Sequence, residues 1–210
     1  MNSPKLLSDS LKKIDTSLLS PIGKDYYQKV VDAGFDINYE LTGDAANQII
    51  QLSLEPAIKE FCPNDSGTRF KDLEAVKEWI SKGRIVVLLT KVLNDRTQVV
   101  GYGWVGEGES EKVDNGKATF AIRIGEAGQG QGLGTPFASL IVEVAASVYG
   151  VKNIWLETWQ SNAGAVHIYH KIGFEDVANE PSFRKTADGH EVEDVRIYMN
   201  LPNEKLPNPA

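Results

Sequence analysis

The sequence predicts a mixed α/β domain, and two observations predict it. Four apolar residues, Phe35, Ile37, Tyr39 and Leu41, alternate with polar ones, which is the period of a half-buried strand. From Thr119 to Phe174 the chain has the pattern of strand, glycine-rich turn, helix, strand and helix. The length of 210 residues allows a sizeable core. We therefore expect one domain over residues 35–201, a partly helical extension over 1–34 and a disordered tail over 202–210.

The chain before the first strand is polar but contains four residues that could dock on the domain as a short helix: Leu11, Ile14, Leu18 and Leu19. A helix follows from Lys24 to Ala33, where the apolar side chains fall on one face. Beyond the strand, Asp44 is expected to cap a helix that Pro56 interrupts. A second helix carries four core residues, Leu73, Val76, Trp79 and Ile80. The two helices flank a polar loop from Phe61 to Phe70.

The middle of the chain predicts further strands. Residues 84–90 and 98–105 flank Asn94, Asp95 and Arg96, which is typical of a hairpin. Gly103 inside the second of these strands indicates a bulge or a close backbone approach. A turn at residues 114–116 leads to the strand that ends at Ile124. Residues 192–199 predict a closing strand that pairs with the one near 174–177, and Gly189 turns the chain between them.

The glycine-rich turn runs from Gln129 to Gly134 and has glycine at three alternate positions, just before a helix. Backbone amides and the positive end of the helix dipole can then face an anion, so a phosphate-bearing ligand is expected. No Lys-Ser or Lys-Thr pair follows the last glycine, which excludes a Walker motif. The dinucleotide pattern needs glycine or alanine where Thr135 and Phe137 stand, so it is not met either.

The helix from Asn162 to Phe174 contains a second motif. Ser161 or Asn162 can cap its start, and Gly173 can adopt the left-handed conformation that ends it. Tyr169 lies one to two turns inside this helix, on or beside its apolar stripe. An aromatic residue at such a position most often packs in the core.

Together the two motifs resemble the signatures of the GCN5-related N-acetyltransferase (GNAT) superfamily. Gln129, Gly132 and Gly134 match its Gln/Arg-x-x-Gly-x-Gly/Ala turn. The second signature is matched at six positions, Asn162, Ala165, Tyr169, Lys171, Gly173 and Phe174. The resemblance implies the GNAT fold, a mostly antiparallel sheet flanked by helices that splays to admit acetyl-CoA. It also implies acetyl transfer from acetyl-CoA to a primary amine that attacks the thioester directly.

The resemblance implies roles for particular residues. The backbone of Ile122 and Ile124 would pair with the pantetheine arm, and Asn162 would contact the cofactor from the other side. Around the pyrophosphate it places five residues: Gln129, Gly130, Gly132, Gly134 and Thr135. Tyr169 would protonate the departing thiolate, a task that suits a hydroxyl with a reference pKa near 10. Many members have arginine or lysine in this turn, whereas here it carries no charge.

A general base is less well defined. Glu157 resembles the carboxylate proposed as base in ribosomal-protein N-terminal acetyltransferases, provided that burial raises its pKa. It shares a strand face with Trp155 and Trp159, where it could equally pair with a lysine or arginine. Glu126 and Glu107 are the other candidates. His167 and His170 are three residues apart without an evident third ligand, so no metal is expected.

Composition limits the partners. The formal charge is −7, which argues against nucleic acid and mildly favours a cationic acceptor. Convergence of five acidic residues on the pocket would strengthen that preference: Glu107, Glu109, Glu111, Glu126 and Glu157. The single cysteine, Cys62, fits a reducing compartment, and no segment is apolar enough to predict a signal peptide or membrane span, so a cytoplasmic location is expected. A homodimer is compatible with the sequence.

Two other functions stay open at this point. The chain could be a non-catalytic acyl-CoA-binding regulatory module on the same fold, although Tyr169 argues against it. It could also be an interaction protein whose glycine turn is only structural. The acceptor itself is not readable from the sequence, since protein N-termini, lysines, amino acids, polyamines and antibiotics all carry a suitable amine.

Overall fold

The computed structural model describes residues 7–207, and its centre is one eight-stranded sheet in the order β1-β2-β3-β4-β5-β6-β8-β7. The strands are β1 (Lys12–Lys13), β2 (Asp36–Tyr39), β3 (Ile85–Leu93), β4 (Arg96–Glu107), β5 (Ala118–Ile124), β6 (Ile154–Trp159), β7 (Glu175–Lys185) and β8 (Glu191–Leu201). The helices are α1 (Pro21–Asp32), α2 (Gly43–Leu52), α3 (Pro56–Phe61), α4 (Leu73–Ser81), α5 (Gly134–Glu143) and α6 (Ala163–Lys171). This architecture confirms the predicted mixed α/β fold with a mostly antiparallel sheet.

The helices cover both faces of the sheet, and strand alternation divides the core accordingly. In β3, Val87 and Leu89 pack with α1 and α5, whereas Val86 and Leu88 pack with α2 and α4. Gly103 permits a close approach on the first of these faces, because a Cβ atom there would collide with the Ile141 side chain of α5. The close approach expected at Gly103 is therefore present.

The hairpins agree with the turn chemistry of the sequence. Asn94 and Asp95 both have positive φ angles, 49° and 59°, as a two-residue hairpin turn requires. The pair β7 and β8 is longer than expected and extends from Glu175 to Leu201 around Gly189, which has a φ of 89°. Pro56 begins α3 after α2 has ended. The cap of α2 is Thr42 rather than Asp44, because the Thr42 hydroxyl accepts from the Ala45 amide while Asp44 lies in the first turn.

The extension before β2 docks on the domain, but not as the short helix expected near its start. Lys12 and Lys13 instead form β1, which pairs with β2, and a 3-10 turn follows at Thr16–Leu18. Ile14 and Leu19 are buried.

The link to α1 is polar. The Ser20 hydroxyl caps α1 through the Gly23 amide and donates to Glu143 at 2.5 Å, and the Ser20 amide donates to the same carboxylate at 3.1 Å. Glu143 is buried at the end of α5. A buried carboxylate needs such donors, so this contact fixes α1 on α5.

Part of the tail also has a defined path. Asn203–Lys205 form a 3-10 turn, and Leu206 packs on the core. Asn203 accepts from the Asn153 amide at 2.8 Å, and Lys205 pairs with Glu175 at 2.6 Å. The expected disorder of 202–210 therefore does not extend to residues 202–207, because these anchors hold them, and residues 208–210 lie outside the described residues. Between residues 7 and 207 no helix is long and apolar enough to cross a membrane.

The position of the site follows from the one parallel strand pair found within residues 7–207. β5 and β6 pair only at Ala118 with Ile154 and at Thr119 with Trp155, and beyond these residues they diverge. A gap therefore opens in the middle of the sheet.

Candidate functional site

A cavity of about 790 Å³ occupies the gap between β5 and β6. Its walls come from β5, β6, the glycine-rich turn, α6, the segment around α3, the end of β7 and the middle of β8. Nine of the residues predicted for the site line it: Ile122, Ile124, Gln129, Gly130, Gly132, Gly134, Glu157, Asn162 and Tyr169. Thr135 is buried in the first turn of α5 rather than part of the lining. The fold thus brings together two motifs that lie about 30 residues apart in the chain.

One wall is the unpaired edge of β5. The Ala118 amide donates towards β6, to Asn153, whereas the Gly125 amide donates to Val100 of β4. Since backbone groups alternate in direction along a strand, the amides and carbonyls of Ile122 and Ile124 face the gap. Their carbonyl oxygens accept from the side chains of Arg123 and Gln129, each at 2.8 Å.

The glycine-rich turn forms the second wall. Gly130 and Gly132 have φ angles of 72° and 71°, and a Cβ atom built at either would meet nothing within 4 Å. These glycines therefore allow a left-handed backbone conformation, and the space beside them stays open. The turn leads into α5, whose N-cap residue, Leu133, provides no side-chain hydrogen bond. The backbone amides of Gly134 and Thr135 at the start of the helix are therefore available to an anion, while Pro136 has no amide to offer.

Gly134 has a different role. A Cβ atom there would collide with Ile168 of α6, so this glycine lets α5 and α6 pack closely. Gln129 is held at the β5 edge by its bond to Ile124. The neutral turn therefore presents its backbone, rather than a charged side chain, to the cavity.

The third wall is α6. Asn162 caps the helix by accepting from the Ala165 amide at 3.3 Å, and Gly173 ends it with a φ of 101°, as predicted. Tyr169 is 5% exposed and packs against Phe120 and Phe174, with ring centroids 5.9 Å and 6.1 Å away. Its side chain is thus both a core residue and part of the cavity wall.

Burial raises the pKa of Tyr169 to about 12, although the nearby Arg123 guanidinium acts in the opposite direction. The hydroxyl therefore stays protonated at neutral pH and is available as a proton donor. No hydrogen bond of this hydroxyl is found within residues 7–207. A ligand in the cavity can therefore accept a hydrogen bond from the Tyr169 hydroxyl.

Glu157 projects from β6 into the same cavity, but it is exposed. Its side chain is 45% accessible and lies 3.4 Å from Arg196 Nη1, which stacks on the Trp159 ring. The ion pair that the sequence allowed for this glutamate is therefore present, and the burial that would favour a base is not.

The other acidic residues do not converge on the site. Of the five glutamates considered, Glu157 alone is part of the cavity wall formed by the described residues. Glu109 pairs with Lys117 at the surface, and Glu107 and Glu126 are exposed outside the cavity. The structure thus removes the geometric basis for expecting a cationic acceptor, because charges close in sequence are spread over separate surfaces.

Sequence reasoning missed a buried polar cluster, which we define as Cys62, Asp65, Arg69, Tyr102 and Arg123. Asp65 is fully buried and accepts from Arg69 Nη1 at 2.9 Å, Arg123 Nε at 2.9 Å and the Tyr102 hydroxyl at 3.1 Å. Burial opposes the charge of Arg123, but the Asp65 carboxylate raises the pKa of Arg123 above its ordinary value. The one sequence signal was an arginine inside an otherwise apolar strand.

The two histidines of α6 have different surroundings from those of a ligand cluster. His170 pairs with Asp176 at 2.7 Å, and within residues 7–207 no three or more His, Cys, Asp or Glu side chains are grouped so that they could hold a metal ion. The expectation of no metal stays a prediction.

Alkaline solution should destabilise the protein, because it ionises two buried acidic groups, the Tyr169 hydroxyl and the Cys62 thiol. Burial raises the pKa of Tyr169 to about 12 and that of the Cys62 thiol to about 11, so both groups stay neutral when folded and ionise first when unfolded. Their contribution to the free energy of unfolding is complete at a pH below their pKa values in the unfolded chain. It is lost as the pH rises through their pKa values in the folded protein. Tyr169 alone should contribute a loss of about 1 kcal/mol at pH 11.

Urea unfolding across this pH range measures the loss. The Tyr169→Phe variant should show a shallower decline than the natural chain, since it lacks one of the buried acids. Parallel declines in the two proteins would contradict the assignment of the loss to Tyr169.

Comparison with known proteins identifies the family of the chain and its fold. Residues 40–175 match the family model described as acetyltransferase (GNAT) domain. The chain belongs to the GNAT acetyltransferase family, as the two sequence motifs predicted.

Individual relatives are more distant. The [ribosomal protein bS18]-alanine N-acetyltransferase of Salmonella typhimurium is 32% identical over 83 residues, which are 40% of this chain and 53% of that protein. The corresponding Escherichia coli protein has the same identity and coverage. The chain thus spans about half the length of the curated relatives that it matches.

Solved structures share the fold. The spermidine N-acetyltransferase of Vibrio cholerae, in complex with CoA and spermine, superposes with a TM-score of 0.66 at 17% identity over 83% of this chain and 98% of that one. The enzyme AAC(6')-Ib, in complex with ribostamycin and coenzyme A, gives 0.56 at 20% identity over 82% and 95%.

Proposed function

We propose that this protein is an N-acetyltransferase that moves an acetyl group from acetyl-CoA to a primary amine. The observation that carries the proposal is the convergence of three elements on one cavity: the open β5 edge, the glycine-rich turn and the Tyr169 hydroxyl. The family assignment and the amine acceptors in the names of the relatives support it.

The residues present fit acetyl-CoA as cosubstrate. The backbone of Ile122 and Ile124 offers amide groups along the gap, which suits the amides of a pantetheine arm. The free amides of α5 and the open space at Gly130 and Gly132 suit a pyrophosphate. Asn162 lies across the cavity, where we infer contact with the same arm. In this proposal Thr135, which is buried in the first turn of α5, supports the glycine-rich turn from the protein interior.

Acetyl-CoA supplies an activated acetyl thioester. The amides along β5 orient the thioester carbonyl, and the Tyr169 hydroxyl donates a proton to the departing sulfur. The raised pKa keeps the Tyr169 hydroxyl protonated before the reaction, and the nearby Arg123 guanidinium, which acts to lower that pKa, would stabilise the phenolate left after the transfer.

Glu157 is the proposed base, acting through water because it is exposed. Its carboxylate lies on the cavity wall and contacts Arg196 at 3.4 Å, which holds it near the acceptor side of the proposed site. Glu157→Gln should lower kcat/KM for the acceptor mainly at low pH, where less of the amine is already deprotonated. A pH profile that matches that of the natural chain would leave solvent as the base.

Thiol release from acetyl-CoA tests the activity. The protein is incubated with acetyl-CoA and a panel of amino acids, polyamines, aminoglycosides and peptides with free N-termini. Release that depends on both the protein and one acceptor is the expected outcome, with an acetylated product found by mass spectrometry. Binding of acetyl-CoA without release for any acceptor would favour the non-catalytic acyl-CoA-binding module, and absence of binding would favour a structural turn in an interaction protein. Cytoplasmic location and a homodimer stay predictions.

A further inference from the structure

The cavity has a second polar feature beside the reaction site, at the Trp104 ring. The guanidinium carbons of Arg123 and Arg69 lie 5.0 Å and 5.6 Å from the centroid of this ring. All three side chains line the cavity. Two cations therefore flank one aromatic ring, where they gain from the ring quadrupole.

These two guanidiniums share a single carboxylate. Asp65 accepts from both, and the third donor to it, Tyr102, is neutral. Arg69 makes no other side-chain hydrogen bond within the described part of the chain. Its side chain is 37% accessible, so its remaining N–H groups can reach the cavity. The cluster therefore carries one positive charge that no protein carboxylate balances.

The other charged residues of the cavity wall do not offset this excess. Arg184 contacts two carboxylates, Glu60 at 2.6 Å and Asp194 at 2.8 Å, so this group carries one net negative charge. Lys185 supplies one positive charge that balances it, and Arg196 pairs with Glu157, so the unbalanced charge of the cluster remains. A chain of net charge −7 thus places a local positive excess at this cavity. Part-buried cations of this kind attract an anion strongly, because little solvent screens them.

We propose that Arg69 and Arg123 bind a carboxylate of the acceptor, so that the substrate is an amine that also carries a carboxylate, such as a free amino acid. This inference rests on the proposed acetyl transfer and specifies its substrate class. Guanidinium groups bind carboxylates with two parallel hydrogen bonds, which would fix the orientation of the acceptor. Arg123 lies near enough to Tyr169 to influence the pKa of its hydroxyl, so an acceptor held there has its amine close to the proton donor.

Acceptor chemistry provides the first test. Proteinogenic amino acids are compared with their carboxamides, with spermidine and with peptides that begin with the same residues. The natural chain should acetylate the best amino acid at least 10-fold more efficiently, by kcat/KM, than its carboxamide, since a lost charged hydrogen bond costs on that order. Peptides with an acidic side chain near the N-terminus test whether the carboxylate can come from a polypeptide.

Arg69→Gln provides the second test. Asp65 keeps two donors in this variant, Arg123 and Tyr102, so folding should survive. KM for the amino acid should rise roughly 10-fold or more, and KM for its carboxamide and for acetyl-CoA should stay near the natural values. Arg96→Gln removes the same charge at the exposed start of β4, outside the cavity wall, and should change none of these constants.

The outcomes separate the two proposals. Equal efficiency for acids and carboxamides, or a polyamine as best acceptor, overturns the carboxylate site while the acetyltransferase stands. If no acceptor releases CoA, the proposed activity fails, and calorimetry with N-acetyl amino acids and their carboxamides in the presence of CoA then decides the subsite. Preferential binding of the acids, lost in Arg69→Gln, supports it, and equal binding overturns it.

Discussion

Replacing Tyr169 by phenylalanine is expected to lower kcat by roughly 10²-fold or more if proton transfer contributes to the slow step. The change deletes one hydroxyl and keeps the ring that packs against Phe120 and Phe174. Because no protein partner of that hydroxyl is found within residues 7–207, its removal should leave no buried group unsatisfied. Steady-state kinetics with the best acceptor measure the effect.

The control for this variant is acetyl-CoA binding. Its Kd should change little, since the expected loss concerns the departure of the thiolate rather than the grip on the cofactor. An unchanged kcat with the true acceptor would move the acid role to water or to another residue. A weaker Kd with an unchanged kcat would make Tyr169 a binding residue only.

Replacing Gly132 by valine should weaken acetyl-CoA binding by at least roughly 10-fold. The φ angle of 71° is costly for a β-branched residue, and the new side chain would fill the open space in which we place the pyrophosphate. Isothermal titration calorimetry with acetyl-CoA measures the loss.

Gly83 offers a matched control. Its φ angle is 75°, a Cβ atom there also meets nothing within 4 Å, and it lies outside the cavity between α4 and β3. Gly83→Val should therefore lower stability by a similar amount and leave acetyl-CoA affinity unchanged. If both variants bind acetyl-CoA as the natural chain does, the turn is not the phosphate site. If both lose affinity equally, backbone strain rather than ligand contact explains the loss.

The parts of the fold that sequence could predict are those fixed by local chemistry. The turn at Asn94 and Asp95, the cap at Asn162 and the helix end at Gly173 each depend on residues within one turn. The motif formed by β5, the glycine-rich turn and α5 also consists of residues close together in the sequence. The second motif, on α6, lies near it in the sequence. Short sequence patterns were therefore sufficient to predict the structure of these segments.

The cluster around Asp65 shows why other parts could not be predicted. The sequence predicts Asp65 in a polar loop, whereas in the structure it begins a π-helical turn, Asp65–Arg69. Its partners Tyr102 and Arg123 are 37 and 58 residues away. Nothing local distinguishes it from the exposed aspartates, because burial of a charge depends on which distant donors the fold brings to it. The same limit explains the acidic residues, whose number in the sequence did not indicate where they would lie. Because these acidic residues are dispersed and two arginines lie at Trp104, the charge of the cavity is opposite to the charge that the sequence predicted.

The gap between β5 and β6 also affects which strands of other chains could pair with this sheet. An unpaired strand in the middle of a sheet is an edge, and exposed edges can recruit strands of other chains. Here the carbonyl groups of Ile122 and Ile124 already accept from Arg123 and Gln129. An incoming strand must accept hydrogen bonds from the amides of β5 and donate hydrogen bonds to its carbonyl groups. At Ile122 and Ile124 the amides can take part in such pairing, whereas the carbonyl groups are already bonded. The edge is therefore biased towards a guest that brings hydrogen-bond acceptors, and against a second polypeptide.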